Sequence, residues 1–147
     1  MKNRSTLIKD VKGFTLIELM VVVVILGLLA ALVAPKVINK LGKANTNAAY
    51  TQIHLLGTAL DSFRLDMGRY PSSSEGLEVL ISSPSGEDHW NGPYLKKEEI
   101  PDDPWGNPYI YKSPGDHGDY DLYSYGADGT EGGDKDNRDI ASWKGLK

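Results

Sequence analysis

An α+β fold is predicted for this chain: a long N-terminal helix, transmembrane in its first half and amphipathic in its second, packed on a small antiparallel sheet. Three observations predict it. Phe14 to Ala34 is a nearly all-apolar run of 21 residues in which Glu18 is the only charge; Ala49 to Met67 places apolar residues at helical spacing; and two tyrosine-rich segments, Tyr109–Tyr111 and Tyr120–Tyr125, flank a turn-prone stretch.

The apolar run comes first. As a helix rising about 1.5 Å per residue it would cover roughly 30 Å, the thickness of one bilayer core. Ahead of it the first 13 residues carry Lys2, Arg4, Lys9 and Lys12 against Asp10, a net of +3. Basic flanks stay on the cytoplasmic side, so the N-terminus faces the cytoplasm and the bulk of the chain is exported. A conventional secretory cut after small residues fits poorly, because Leu32-Val33-Ala34 is followed at once by Pro35. Glu18 is the anomaly: a charge at the bilayer centre costs on the order of 2.5–3.5 kcal/mol, so an intramembrane acid calls for a partner.

The helix is expected to continue beyond the membrane. Pro35 removes one hydrogen bond and bends the axis, and after it Ala49, Ile53, Leu56, Leu60, Phe63 and Met67 follow at spacings of 4, 3, 4, 3 and 4. That stripe lines one helix face. It reads as packing on a sheet rather than as a coiled coil, since it is only about two heptads long. Gly68 supplies the stop. Gly42, close to Pro35, is expected to let the intervening segment stretch or melt, and the polar run 36–47 reads as a solvated or subunit-facing surface.

The rest reads as one small domain. Ser72 to Glu75 cap a short helix through Leu77, Val79, Leu80 and Ile81, and 82–103 is an ordered loop. Asp103-Pro104-Trp105-Gly106-Asn107-Pro108-Tyr109 makes a rigid turn that pins Trp105 on the core. The two tyrosine-rich segments form an antiparallel pair around Pro114 to Asp119. Two strands alone are barely stable, so the helix stripe must cover them. His54, His89 and His117 are scattered and read as structural or solvated. No nucleophile–base combination, phosphate loop or dinucleotide fingerprint is present, which argues against an enzyme.

Charge and cysteine content narrow the partners. The chain has a formal charge of −4, and −7 without its first 13 residues, so no basic face suggests nucleic acid. It has no cysteine; a small head that lacks disulfides often needs a metal staple. Asp128, Glu131, Asp134, Asp136 and Asp139 fall within twelve residues interleaved with glycine, a density of oxygen ligands that suits calcium rather than zinc. An EF-hand is rejected, because its twelfth position holds Asp139 rather than Glu and a strand precedes it. By composition alone an acidic, unstructured tail accounts for the run equally well; Ile140 and Trp143 just beyond it argue against a free tail.

Two sets of residues carry a resemblance. The basic leader, Gly13, then Phe14-Thr15-Leu16-Ile17-Glu18 and the apolar stretch resemble the class III leader of the type IV pilin superfamily. This implies cleavage between Gly13 and Phe14 by a prepilin peptidase of the inner membrane, and N-methylation of Phe14. The cut makes an α-amino group that is cationic near neutral pH. Glu18 can meet it within one helix, one turn away, or on a neighbouring subunit; the resemblance implies the neighbour, which makes Glu18 an assembly residue.

Arg69-Tyr70-Pro71 with Glu75-Gly76-Leu77, the Asp103 to Tyr109 segment, Tyr123 to Gly129 and Asp139-Ile140 resemble the major pseudopilins of type II secretion systems. That resemblance implies a pilin-like fold divided into a leader 1–13, a transmembrane and polymer-core helix 14–35, and a periplasmic head 36–147. It also implies structural calcium, bound by Asp128 and Asp139, with Asp136 as a further ligand and the carbonyls of Tyr125 and Thr130 completing the shell. The implied role is a homopolymer, the pseudopilus, anchored in the inner membrane and driving protein export. Its implied partners are minor pseudopilins, the inner-membrane assembly platform and exoprotein cargo. Two rivals are a type IV pilus subunit for adhesion or motility, disfavoured by the missing cysteine pair, and a membrane-anchored calcium-binding domain that never polymerises.

Overall fold

The computed structural model describes residues 13–145; the leader residues ahead of Gly13 lie outside the described residues. Helix α1 spans Leu16–Met67, with Pro35 inside it. It begins at a capping box: the Glu18 N–H donates to Thr15 Oγ1 at 3.3 Å and Glu18 Oε2 accepts from the Thr15 N–H at 2.8 Å. It ends where Gly68 adopts φ +71°, a left-handed conformation in which its N–H reaches the Arg64 carbonyl at 2.8 Å. A side chain would resist that angle, so glycine terminates the helix as predicted.

The chain divides into two compact units, Met1–Asn39 and Lys40–Lys147. In the first, large apolar side chains from Phe14 to Ile38 remain exposed, from 46 % at Val22 to 87 % at Phe14. Such surface is costly in water and is what lipid or neighbouring helices cover. Among the described residues one helix, α1, is long and apolar enough to cross a membrane.

In the second unit the predicted stripe becomes the core. Ala49, Ile53, Leu56, Leu60 and Phe63 are buried, Met67 packs at its edge, and Leu77, Leu80, Tyr109, Leu122 and Ile140 meet them. The sheet has three strands, β1 (Ile110–Lys112), β2 (Asp121–Ser124) and β3 (Ile140–Ala141), in the order β1-β2-β3 and antiparallel throughout. Leu122 and Ser124 are buried while Tyr123 between them is partly exposed, the alternation expected of a sheet covered on one face.

Three expectations change. The pair of strands is a three-stranded sheet, because β3 is two residues long and too short to show a pattern. The expected helix near Leu77 is only a 3₁₀ turn, Glu78–Leu80. The Ser72–Glu75 capping bonds form, with Ser72 N–H to Glu75 Oε2 at 2.7 Å, but Gly76 at φ +66° turns the chain away at once. The run 36–47 is not wholly solvated, since Gly42 and Thr46 are buried. In this single chain α1 is helical through Gly42.

Candidate functional site

The N-terminal candidate is built on the first turn of α1. Glu18 Oε2 accepts both the backbone N–H of Thr15 at 2.8 Å and its hydroxyl at 2.7 Å. The carboxylate is therefore folded back toward the helix start, where the unpaired N–H groups and the helix dipole favour a negative charge. Gly13 and Phe14 precede the helix, outside any regular element, and are exposed.

The second candidate is the excursion between β2 and β3. Its neck is closed by the pairing of Ser124 with Ile140. Leaving the neck, the chain makes a 3₁₀ turn at Gly126–Asp128 and returns through another at Lys135–Asn137. The two limbs touch backbone to backbone: a Cβ on Gly126, which has φ +73°, would lie 2.7 Å from the Asp136 carbonyl oxygen and 2.9 Å from that of Arg138. Only glycine satisfies both the angle and the approach.

The predicted ligands are distributed along this loop. Asp128 Oδ1 accepts the Thr130 N–H at 3.2 Å, and Asp139 accepts the Gly132 N–H on both oxygens, at 3.1 and 3.0 Å. Asp139 and Glu131 also line an open cavity of about 310 Å³ together with Tyr125, Tyr123, His117 and Trp143. Asp136 faces elsewhere: its carboxylate rests on Gly42 of α1, so close that a Cβ there would stand 1.9 Å from Oδ1. Among the described residues no three acidic or imidazole side chains converge on one point. A cation in this loop would therefore rest on two carboxylates and backbone carbonyls. Within residues 125–139 every available donor is oxygen, with no thiol and no imidazole, and that chemistry fits calcium.

Beneath the neck lies a polar network that reading the sequence assigned only to a rigid turn. Trp105 does pack on the core, yet Asp103 is the more informative residue, a carboxylate only 4 % exposed. Its Oδ1 accepts the N–H groups of Trp105 and Asn107 at 3.0 and 2.8 Å, and its Oδ2 accepts the Ser124 hydroxyl at 2.6 Å. Ser124 Oγ in turn accepts the Gly126 N–H at 3.0 Å, and Asn107 Nδ2 donates to the Gly126 carbonyl at 3.0 Å. An acid two residues before a tryptophan in a Pro/Gly turn was the available signal; its burial was not.

The neighbouring wall is ionic and aromatic. His117 stacks on Trp143 with centroids 4.0 Å apart and places Nδ1 2.9 Å from Asp121 Oδ2. Burial alone would push the Asp121 carboxyl up, but the His117 side chain and the N–H groups of Asp116 and His117 outweigh it and hold the group below the usual range. At the helix end, Arg69 reaches both oxygens of Glu75 at 2.8 Å and Glu87 at 3.1 Å. The guanidinium holds Glu75 down to about 2.

Similarity to known proteins covers both halves of the chain. Residues 36–143 match the family "Type II secretion system (T2SS), protein G", and residues 8–34 match the prokaryotic N-terminal methylation motif. A type II secretion system core protein G of Pseudomonas aeruginosa is 52% identical over 135 residues, covering 89% of this chain and 94% of that one. The Vibrio cholerae protein of the same description is 47% identical over 134 residues, covering 89% and 90%. The crystal structure of the major pseudopilin from the type 2 secretion system of enterohaemorrhagic Escherichia coli is similar at a TM-score of 0.56 and 33% identity, over 69% of this chain and 88% of that one. An exposed apolar helix start, a helix-backed three-stranded sheet and these matches agree: the chain belongs to the type II secretion system protein G family, the pseudopilins.

Proposed function

We propose that this chain is the structural subunit that polymerises into the pseudopilus of a type II secretion system and thereby drives protein export. The observation that carries this is the pairing, in one chain, of an N-terminal methylation motif with a protein G domain that follows it directly. The chain is cut between Gly13 and Phe14, Phe14 is methylated, and the apolar half of α1 anchors the subunit in the inner membrane with the head in the periplasm. Removing a leader of net charge +3 leaves a membrane segment with one new amine and one acid. Neutralising these two groups against each other between subunits relieves the cost of leaving either unpaired in lipid and sets the register of the polymer.

Calcium occupies the loop between β2 and β3, held by Asp128 and Asp139 with the carbonyls of Tyr125 and Thr130. When bound it supplies a positive centre that joins the two limbs of a loop rich in carboxylates. Asp136 serves the loop through α1, where its carboxylate lies on Gly42. Mass spectrometry of the membrane-extracted protein tests the processing: a chain beginning at methylated Phe14 is expected, and an intact chain from Met1 would leave only a simple anchor. Secretion in a strain deleted for this protein should be restored by the native chain and not by Glu18→Ala. Full secretion by that variant would overturn the assembly role of Glu18.

A further inference from the structure

The network under the neck has a direction. The Gly126 N–H and the Tyr125 C=O belong to one planar peptide unit, so fixing the first fixes the second on the opposite side. The N–H is fixed by Ser124 Oγ, whose own proton is committed to the buried Asp103 carboxylate. The next peptide is held from the other end, because Asn107 Nδ2 takes the Gly126 carbonyl. Asn107 also lies along the following turn, since a Cβ at Gly129 would stand 3.6 Å from its Oδ1. Its side chain therefore reaches from Gly126 to Gly129 and brackets Asp128.

We infer that Asp103, Ser124 and Asn107 are positioning residues for the cation in the β2–β3 loop: Asp103 and Ser124 aim the Tyr125 carbonyl, and Asn107 sets the turn that presents Asp128. This inference rests on the calcium reading above. It assigns to the Asp103–Asn107 segment a purpose besides seating Trp105, and it explains why a carboxylate with three protein donors is buried next to a serine that is fully buried as well. None of the three residues is a ligand. They act by removing the freedom of two peptide planes before the cation arrives, which lowers the entropy lost on binding.

Asn107→Ala is the discriminating variant, because the backbone N–H that meets Asp103 survives and only the side-chain bond to Gly126 is lost. Calcium binding to the full chain in detergent micelles is measured by titration calorimetry, and melting is followed with and without chelator. For Asn107→Ala the expected result is a calcium affinity weakened roughly tenfold or more, with the melting temperature of the chelated protein unchanged. Ser124→Ala should weaken binding further and also lower the melting of the chelated protein, since it leaves Asp103 short of a donor. Unchanged affinity in Asn107→Ala, with the native chain binding calcium, would overturn the positioning role and leave the calcium reading intact. In Asn107→Ala, weaker binding accompanied by lower melting of the chelated protein would also overturn it, as it would mark a merely structural residue. Failure of the native chain to bind calcium at all would overturn both.

Discussion

Single residues in this protein do work that their type alone does not announce. Gly126 is required twice over, by a φ of +73° and by two carbonyl oxygens within 3 Å of where a Cβ would stand. An alanine there pays the left-handed penalty of about 1–2 kcal/mol before any clash is counted. Gly126→Ala should therefore lower the melting temperature by roughly 5 °C or more, measured by circular dichroism; an unchanged midpoint would mean the two limbs are not in contact. Gly42 is a different case, because its neighbour is the movable end of a side chain. Alanine favours a helix by about 1 kcal/mol over glycine, but here it must displace the Asp136 carboxylate. Gly42→Ala is expected to gain less stability in the native background than in an Asp136→Ala background; equal gains in the two backgrounds would show that the residues do not interact. Glu75 gives the pH signature. Its folded value of about 2 lies below the ordinary 4.5, so the Arg69–Glu75 pair contributes stability above about pH 4.5 and loses it as the pH falls toward 2. The contribution is modest, since the Arg69 side chain is 42% exposed. An acid titration of stability should be flatter over that range in Glu75→Gln than in the native protein; parallel curves would remove the pair from the account.

Among the elements, α1 and the β2–β3 loop stand at opposite ends of legibility. The helix follows from periodicity, and each buried stripe residue sits where 3.6-residue spacing puts it. The loop follows from composition only as far as its chemistry: oxygen donors on a glycine-rich backbone point to a hard cation. Which carboxylates face one another depends on how the two limbs fold together. Asp128 and Asp139 turn to N–H groups within the loop, whereas Asp136 turns to the helix. Chelation with EGTA is expected to lower the melting temperature of the native chain substantially, and calcium in excess over its Kd to restore it by mass action. A melting curve indifferent to both additions would eliminate the cation from the loop. The strands occupy the middle ground. β1 and β2 were visible as tyrosine-rich runs, displaced by one residue at their boundaries, while β3 has two residues and exists because β2 offers it an edge.

For the whole molecule the question is what a membrane anchor and a small acidic head achieve together. The exposed apolar surface of the first unit cannot be left in water. Membership in the protein G family resolves the choice toward a pseudopilus subunit over a type IV pilin or a solitary anchored domain. Polymerisation is then the property to test. Glu18→Ala should insert and fold like the native chain, because its core lies elsewhere, yet cross-linking in membranes should yield monomers where the native chain gives ladders. Native-like ladders from the variant would show that the acid is dispensable for assembly. By itself the sequence determined the long helix, its stop at Gly68, the buried stripe, the processing motif and the oxygen-only character of the loop. All of these are written in neighbouring residues and in periods of a few positions. Tertiary structure alone decided that Asp103 is buried, that Asn107 reaches Gly126, that Asp136 lies on Gly42 and that Ile140 begins a strand. The physical reason is that these contacts join residues far apart along the chain, and the cost of burying an acid or closing on a glycine is set by whatever the folded chain brings against it.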